Sequence, residues 1–115
     1  MNFPINDMPE KVKYSLNLSL NLFDDYQKKC FTKRKPEFFC LELNGEAGEL
    51  ANLEKKLWKG KTIEPALSED EAADVFIALM NYCNSRKINI GKAVEEKLEK
   101  IEKKRAALEK AGEKY

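Results

Sequence analysis

Four carboxylates carry the strongest chemical signal in this 115-residue chain. They form two pairs, Glu46-x-x-Glu49 and Glu71-x-x-Asp74, separated by 21 residues. A spacing of three places both acids of a pair on one face of a helix. On two antiparallel neighbouring helices all four would converge. Carboxylates packed together repel, and desolvation worsens their position unless a cation neutralises them. Hard oxygen donors without His or Cys select magnesium, manganese or calcium, and magnesium commonly bridges protein carboxylates to substrate phosphates. The chemistry suggested is metal-assisted attack on a phosphate.

Spacing alone does not single these acids out, because Glu96-x-x-Glu99 and Glu99-x-x-Glu102 match it too. Their surroundings separate the two sets. Glu96, Glu99 and Glu102 are interleaved with Lys97, Lys100, Lys103 and Lys104 and read as a salt-laced solvent face. Glu49 lies in Ala47-Gly48-Glu49-Leu50-Ala51, and Asp74 in Ala72-Ala73-Asp74-Val75-Phe76. Such small, apolar contexts predict half-buried acids, and buried acids need a reason. The plainer alternative is a set of ordinary helix-surface acids. In it Glu71 serves a capping box and Glu46 pairs with a lysine.

The elements that must position these residues read as four helices. The first begins after Asp7-Met8-Pro9, where Asp7 can cap and Pro9 suits a first turn. Leu16 to Leu22 alternates like a strand, but Val12, Leu16, Leu20 and Phe23 keep helical spacing, and a lone strand would have no partner. Residues 28–36 carry Lys28, Lys29, Lys33, Arg34 and Lys35 without an acid. They read as a helix end and a basic connector, offsetting a helix dipole or attracting phosphate. The second helix runs from about Glu37 to Trp58, with Phe39, Leu43, Ala47, Leu50, Leu53 and Leu57 on one face. Gly45 and Gly48 within it each cost about 1 kcal/mol relative to Ala, suggesting close approach of another backbone or a ligand.

Ser68-Glu69-Asp70-Glu71 is a capping-box pattern that predicts the start of the third helix. Its apolar stripe is Ala72, Val75, Phe76, Leu79, Met80 and Cys83. Asn89 caps a fourth helix with a narrow face of Val94, Leu98, Ile101 and Leu108, ending near Gly112. The expected fold is an all-α four-helix bundle, one domain over residues 1–115.

Composition narrows the chemistry further. Twenty-one basic residues nearly cancel 20 acidic ones, a net of +1, so no nucleic-acid polymer is expected as partner. The chain has no histidine, which removes Ser-His-Asp and Cys-His catalysis, His-based zinc sites and His-driven pH switching together. Three cysteines without C-x-x-C spacing fit reduced thiols, with Cys83 in the core. Met1-Asn2-Phe3-Pro4 lacks the basic-then-apolar pattern of a signal peptide, and no apolar run suits a membrane helix. A cytoplasmic protein is expected.

Leu43-Asn44-Gly45-Glu46-Ala47-Gly48-Glu49-Leu50, followed by Ser68-Glu69-Asp70-Glu71-Ala72-Ala73-Asp74-Val75, resembles the MazG-like all-α nucleoside triphosphate pyrophosphohydrolases. The likeness covers roughly residues 38–105, including the Ile88-Asn89-Ile90-Gly91 turn into a lysine-rich last helix. It implies that Glu46, Glu49, Glu71 and Asp74 hold magnesium, or manganese in its place, on the triphosphate. Attack of water on the α-phosphorus then yields a nucleoside monophosphate and pyrophosphate, with Glu49 the candidate base. Lys97 matches the family's phosphate-binding lysine, and Lys104 or Arg105 can take a further contact. Ile101 stands where the family usually has asparagine, and Gly45 where many relatives have another Glu.

A single bundle this small exposes apolar surface, and Phe38, Phe39 and Trp58 are available to cover it in a homodimer or homotetramer. Phe3, Phe23, Phe38, Trp58 and Asn81 are candidates for a base pocket. Two rivals stand beside the enzyme. One is a non-enzymatic helical interaction module, the other a metal or nucleotide binder without turnover, motivated by Ile101.

Overall fold

The computed structural model describes residues 6–115, and Phe3 lies outside them. Among the described residues every regular element is an α-helix: α1 (Met8–Cys30), α2 (Pro36–Trp58), α3 (Pro65–Arg86) and α4 (Ile90–Lys110). The alternating leucines of 16–22 are helical, as their spacing with Val12 and Phe23 predicts. None of the helices is long and apolar enough to cross a membrane. The described residues gather into two compact units, residues 6–22 with Asn89–Tyr115, and Phe23–Ile88.

The second unit carries the acids. Its centre is a hairpin of α2 and α3, joined by residues 59–64. The two helices run antiparallel: Phe39 shares a pocket with Asn81, while further along α2 Glu46 meets Glu71, earlier on α3. Phe39, Ala78, Met80 and Cys83 are its buried apolar residues, and burial pushes the Cys83 thiol above its ordinary value. Past the Lys59 cap of α2 stands Gly60, whose φ of 87° is in the left-handed region. There its N–H reaches Leu57 O at 2.9 Å and that of Lys61 reaches Lys56 O at 3.0 Å, satisfying two terminal carbonyls.

Several expectations change here. α3 starts at Pro65, not at Ser68, because proline at the first helical position presets φ and needs no donor. Ser68 is therefore inside the helix, and Glu71 is released from any capping role. Gly45 and Gly48 face open space, with no atom of another described segment within 4 Å of a Cβ placed on either, so among the described residues no second backbone approaches them. Ala47, Leu57, Ala72, Phe76 and Leu79, read as core, are exposed. A hairpin of two helices covers only the seam between them, so a broad apolar stripe overruns it.

In the first unit, Asn89 Oδ1 accepts from Lys92 N–H at 3.0 Å and caps α4, as its position predicts. Two residues after the cap, Gly91 is buried against the backbone of Lys13 and the side chain of Asn17 on α1. An ion pair between Lys13 and Glu95, 3.3 Å, flanks this contact. Glu102 departs from the solvent face expected of it: it is 6% exposed and clasped by Arg105, whose Nε and Nη2 donate to its two oxygens at 2.9 and 2.6 Å.

Candidate metal centre

Glu46 and Glu49 project from the middle of α2, and Glu71 from the second turn of α3. One oxygen from each of the three lies within 4.8 Å of the others. Asp74, the fourth expected member, falls into an overlapping group with Asp70 and Glu71 that meets the same criterion. Glu71 is thus the hinge of five acids rather than one corner of four. Asp70 was not singled out from the sequence, although its i, i+4 relation to Asp74 was the available signal. Asp74 is half-buried, as its small-residue context predicts, but Glu49, of which the same is expected, is exposed, because its neighbours Ala47 and Gly48 are themselves exposed. Glu46 and Glu71 are half-buried and Asp70 is exposed.

The electrostatics follow from this crowding. Glu71 is pushed up to about 7 by hydrogen bonding to Glu46 first, then by burial, then by hydrogen bonding to Glu49 and the charges of both neighbours. For Glu46, the hydrogen bond from Glu71 favours the charged form. Burial and the charges of Glu49, Asp74 and Glu42 outweigh it and leave Glu46 above its ordinary value. A proton therefore does part of what a cation would do. Glu46 Oε2 and Glu71 Oε2 are both buried without a hydrogen-bond partner. Buried acceptors lacking donors are costly, and an all-oxygen set of this kind fits a hard divalent cation such as magnesium.

The expected cations stand on α4, in the other unit. Lys97 is exposed and forms no ion pair among the described residues. Lys104 Nζ sits 5.0 Å from the centroid of the Tyr115 ring. Arg105 is more committed: besides Glu102, its Nη1 donates to Glu109 at 2.6 Å, so its guanidinium already serves two carboxylates. Those two carboxylates hold its pKa above its ordinary value, while Arg105 holds Glu102 below its own. Of the base-pocket candidates, Asn81 is buried, Phe23 half-buried and Phe38 exposed beneath the Arg34 guanidinium. Trp58 is 85% exposed.

Compared with known proteins, the chain matches no family model, no curated protein and no solved structure. The class of protein that fold and site define is an all-helical one presenting a half-buried cluster of carboxylates.

Proposed function

We propose that this chain is a magnesium-dependent nucleoside triphosphate pyrophosphohydrolase of MazG-like type, converting an NTP or dNTP and water to the monophosphate and pyrophosphate. The observation that carries this reading is the convergence of Glu46, Glu49 and Glu71, with two buried carboxylate oxygens that lack donors. Glu46, Glu49, Glu71 and Asp74 would hold the cation, which supplies neutralisation of the acids and polarisation of phosphoryl oxygens.

The chain's own contribution is positional. Glu49 is the exposed member of the convergent three, so solvent reaches its carboxylate. It orients a water toward the α-phosphorus and accepts its proton on a carboxylate oxygen as the new P–O bond forms. The bond from the α-phosphorus to the bridging oxygen breaks, and pyrophosphate leaves. Lys97 and Lys104 stay the candidate phosphate contacts that the family resemblance implies, and Arg105 must first give up Glu102 or Glu109.

That engagement of Arg105, together with Ile101 in place of asparagine, favours a second reading, a metal or nucleotide binder without turnover. The exposed Leu41, Leu57, Trp58, Leu67 and Phe76 support assembly into a homodimer or homotetramer. Phe39 takes no part, being 5% exposed inside its own hairpin.

Magnesium-dependent pyrophosphate release from a panel of ribo- and deoxyribonucleoside triphosphates tests the proposal. Turnover of at least one member is expected, with a loss of about 10²-fold or more in Glu49→Gln. A Glu49→Gln protein as active as wild type would sink the site. A magnesium-linked thermal shift without turnover on any nucleotide would leave the binder.

A further inference from the structure

The connector between α1 and α2 has a feature that the acid cluster does not use. It borders a pocket of about 790 Å³ within the Phe23–Ile88 unit, a size suited to a small organic ligand. The buried Phe39 ring and Pro36 give it an apolar wall, and Asn81 supplies an amide. Lys33, Arg34, Lys35 and Lys87 surround it, and none of the four has a carboxylate partner among the described residues. Asp24, the acid of this pocket, is taken by Lys28 at 2.7 Å.

Local helix electrostatics do not explain the connector cations. Lys28 and Lys29 belong to the last turn of α1, where cations offset the dipole, and both pair with aspartates. Lys33, Arg34 and Lys35 lie instead against the start of α2, where the dipole is positive, no side chain caps the helix and Glu37 is the one acid of the first turn against three cations. Placing cations there adds like charge to like, and an anion relieves both. A second observation points to a ring on that anion. Asn81 is 9% exposed, and its Oδ1 is buried without a donor. The amine or ring N–H of a base would satisfy that acceptor while its flat face lies on the apolar wall.

We propose that this pocket binds a nucleoside phosphate without the aid of a metal, base toward Phe39 and Asn81 and phosphates on Lys33, Arg34 and Lys35. A bounded concavity in a chain of net charge +1 favours a mononucleotide over a nucleic-acid strand. The inference is independent of catalysis at the acid cluster.

Calorimetric titration of the full chain with ATP, GTP, CTP and UTP in EDTA tests it, with inorganic tripolyphosphate and a single-stranded oligonucleotide alongside. At least one nucleotide is expected to bind below about 1 mM and about tenfold tighter than tripolyphosphate. Its affinity should fall about tenfold or more in the exposed K33A/R34A/K35A variant. The proposal is overturned if no nucleotide binds, if the triple variant binds as wild type, or if tripolyphosphate binds equally well. Binding confined to the oligonucleotide overturns it too. Pyrophosphate release with magnesium is scored separately, so failure of the catalytic reading does not touch these outcomes.

Discussion

Divalent-cation affinity should depend on pH because the carboxylate cluster holds a proton where the cation would sit. With Glu71 at about 7, the cluster keeps about 0.9 of a proton at pH 6 and about 0.1 at pH 8. A ligating carboxylate must lose that proton, so binding of Mg²⁺ or Mn²⁺ releases about one proton per site at pH 6 and almost none at pH 8. The apparent association constant scales with the deprotonated fraction. It should drop about tenfold from pH 8 to pH 6, and about a further tenfold by pH 5. Calorimetric titration in two buffers of different ionisation enthalpy measures affinity and proton release together. Glu71→Gln keeps the shape of the protonated side chain but has no acidic proton to lose. It should weaken binding at pH 8 and flatten both pH dependences. Equal affinity at pH 6 and 8, or no proton release at pH 6, would refute the reasoning. Unchanged proton release in Glu71→Gln would show that the proton resides elsewhere.

Three further expectations concern stability and assembly. In EDTA, Glu71 has a folded value of about 7 against an ordinary 4.5, so the folded state holds more protons between those values. Its stabilising contribution is complete below about 4.5 and lost as pH rises through 7, so Tm should decline from pH 5 to pH 8 in EDTA and recover with Mg²⁺. A flat or rising Tm in EDTA would contradict this. Gly91→Ala should destabilise by about 1–3 kcal/mol in urea titrations, because its Cβ would fall on the Asn17 side chain and 2.7 Å from Lys13 O. Stability equal to wild type would mean that α1 and α4 part there without cost. Light scattering should find a dimer or tetramer at micromolar concentration, weakened in Trp58→Lys, and a monomer throughout would remove the oligomer from the proposal.

Much of the candidate site is legible without coordinates. Glu46, Glu49, Glu71 and Asp74 each sit at helical spacing from a neighbouring acid, and the small apolar settings of Glu49 and Asp74 mark the pairs apart from the lysine-laced acids of α4, although only Asp74 of those two is half-buried. Asp70 escaped notice because it reads as a solvent-facing acid in Ser68-Glu69-Asp70-Glu71, although its i, i+4 relation to Asp74 on the same helix was legible. The basic connector was visible as a run of charge, but not the cavity behind it. That cavity depends on Phe39 and Asn81, which are 42 residues apart in the chain and meet only when α2 folds back on α3.

The sequence by itself determined the four helices and most of their ends, since apolar spacing, Asn89 as a cap and Gly60 and Gly112 past the last turns act within a few residues. It also determined that any catalysis here proceeds without histidine. Tertiary structure decided that Glu71 is crowded by Glu46 and Glu49 and pushed up to about 7, that Arg105 is held by Glu102 and Glu109, and that Glu102 is buried. It also left the glycines of α2 facing open space. The division follows from the range of the forces. Hydrogen bonds and caps along a helix are set by neighbours in the chain, whereas burial and the repulsion among carboxylates depend on which faces of distant segments come together.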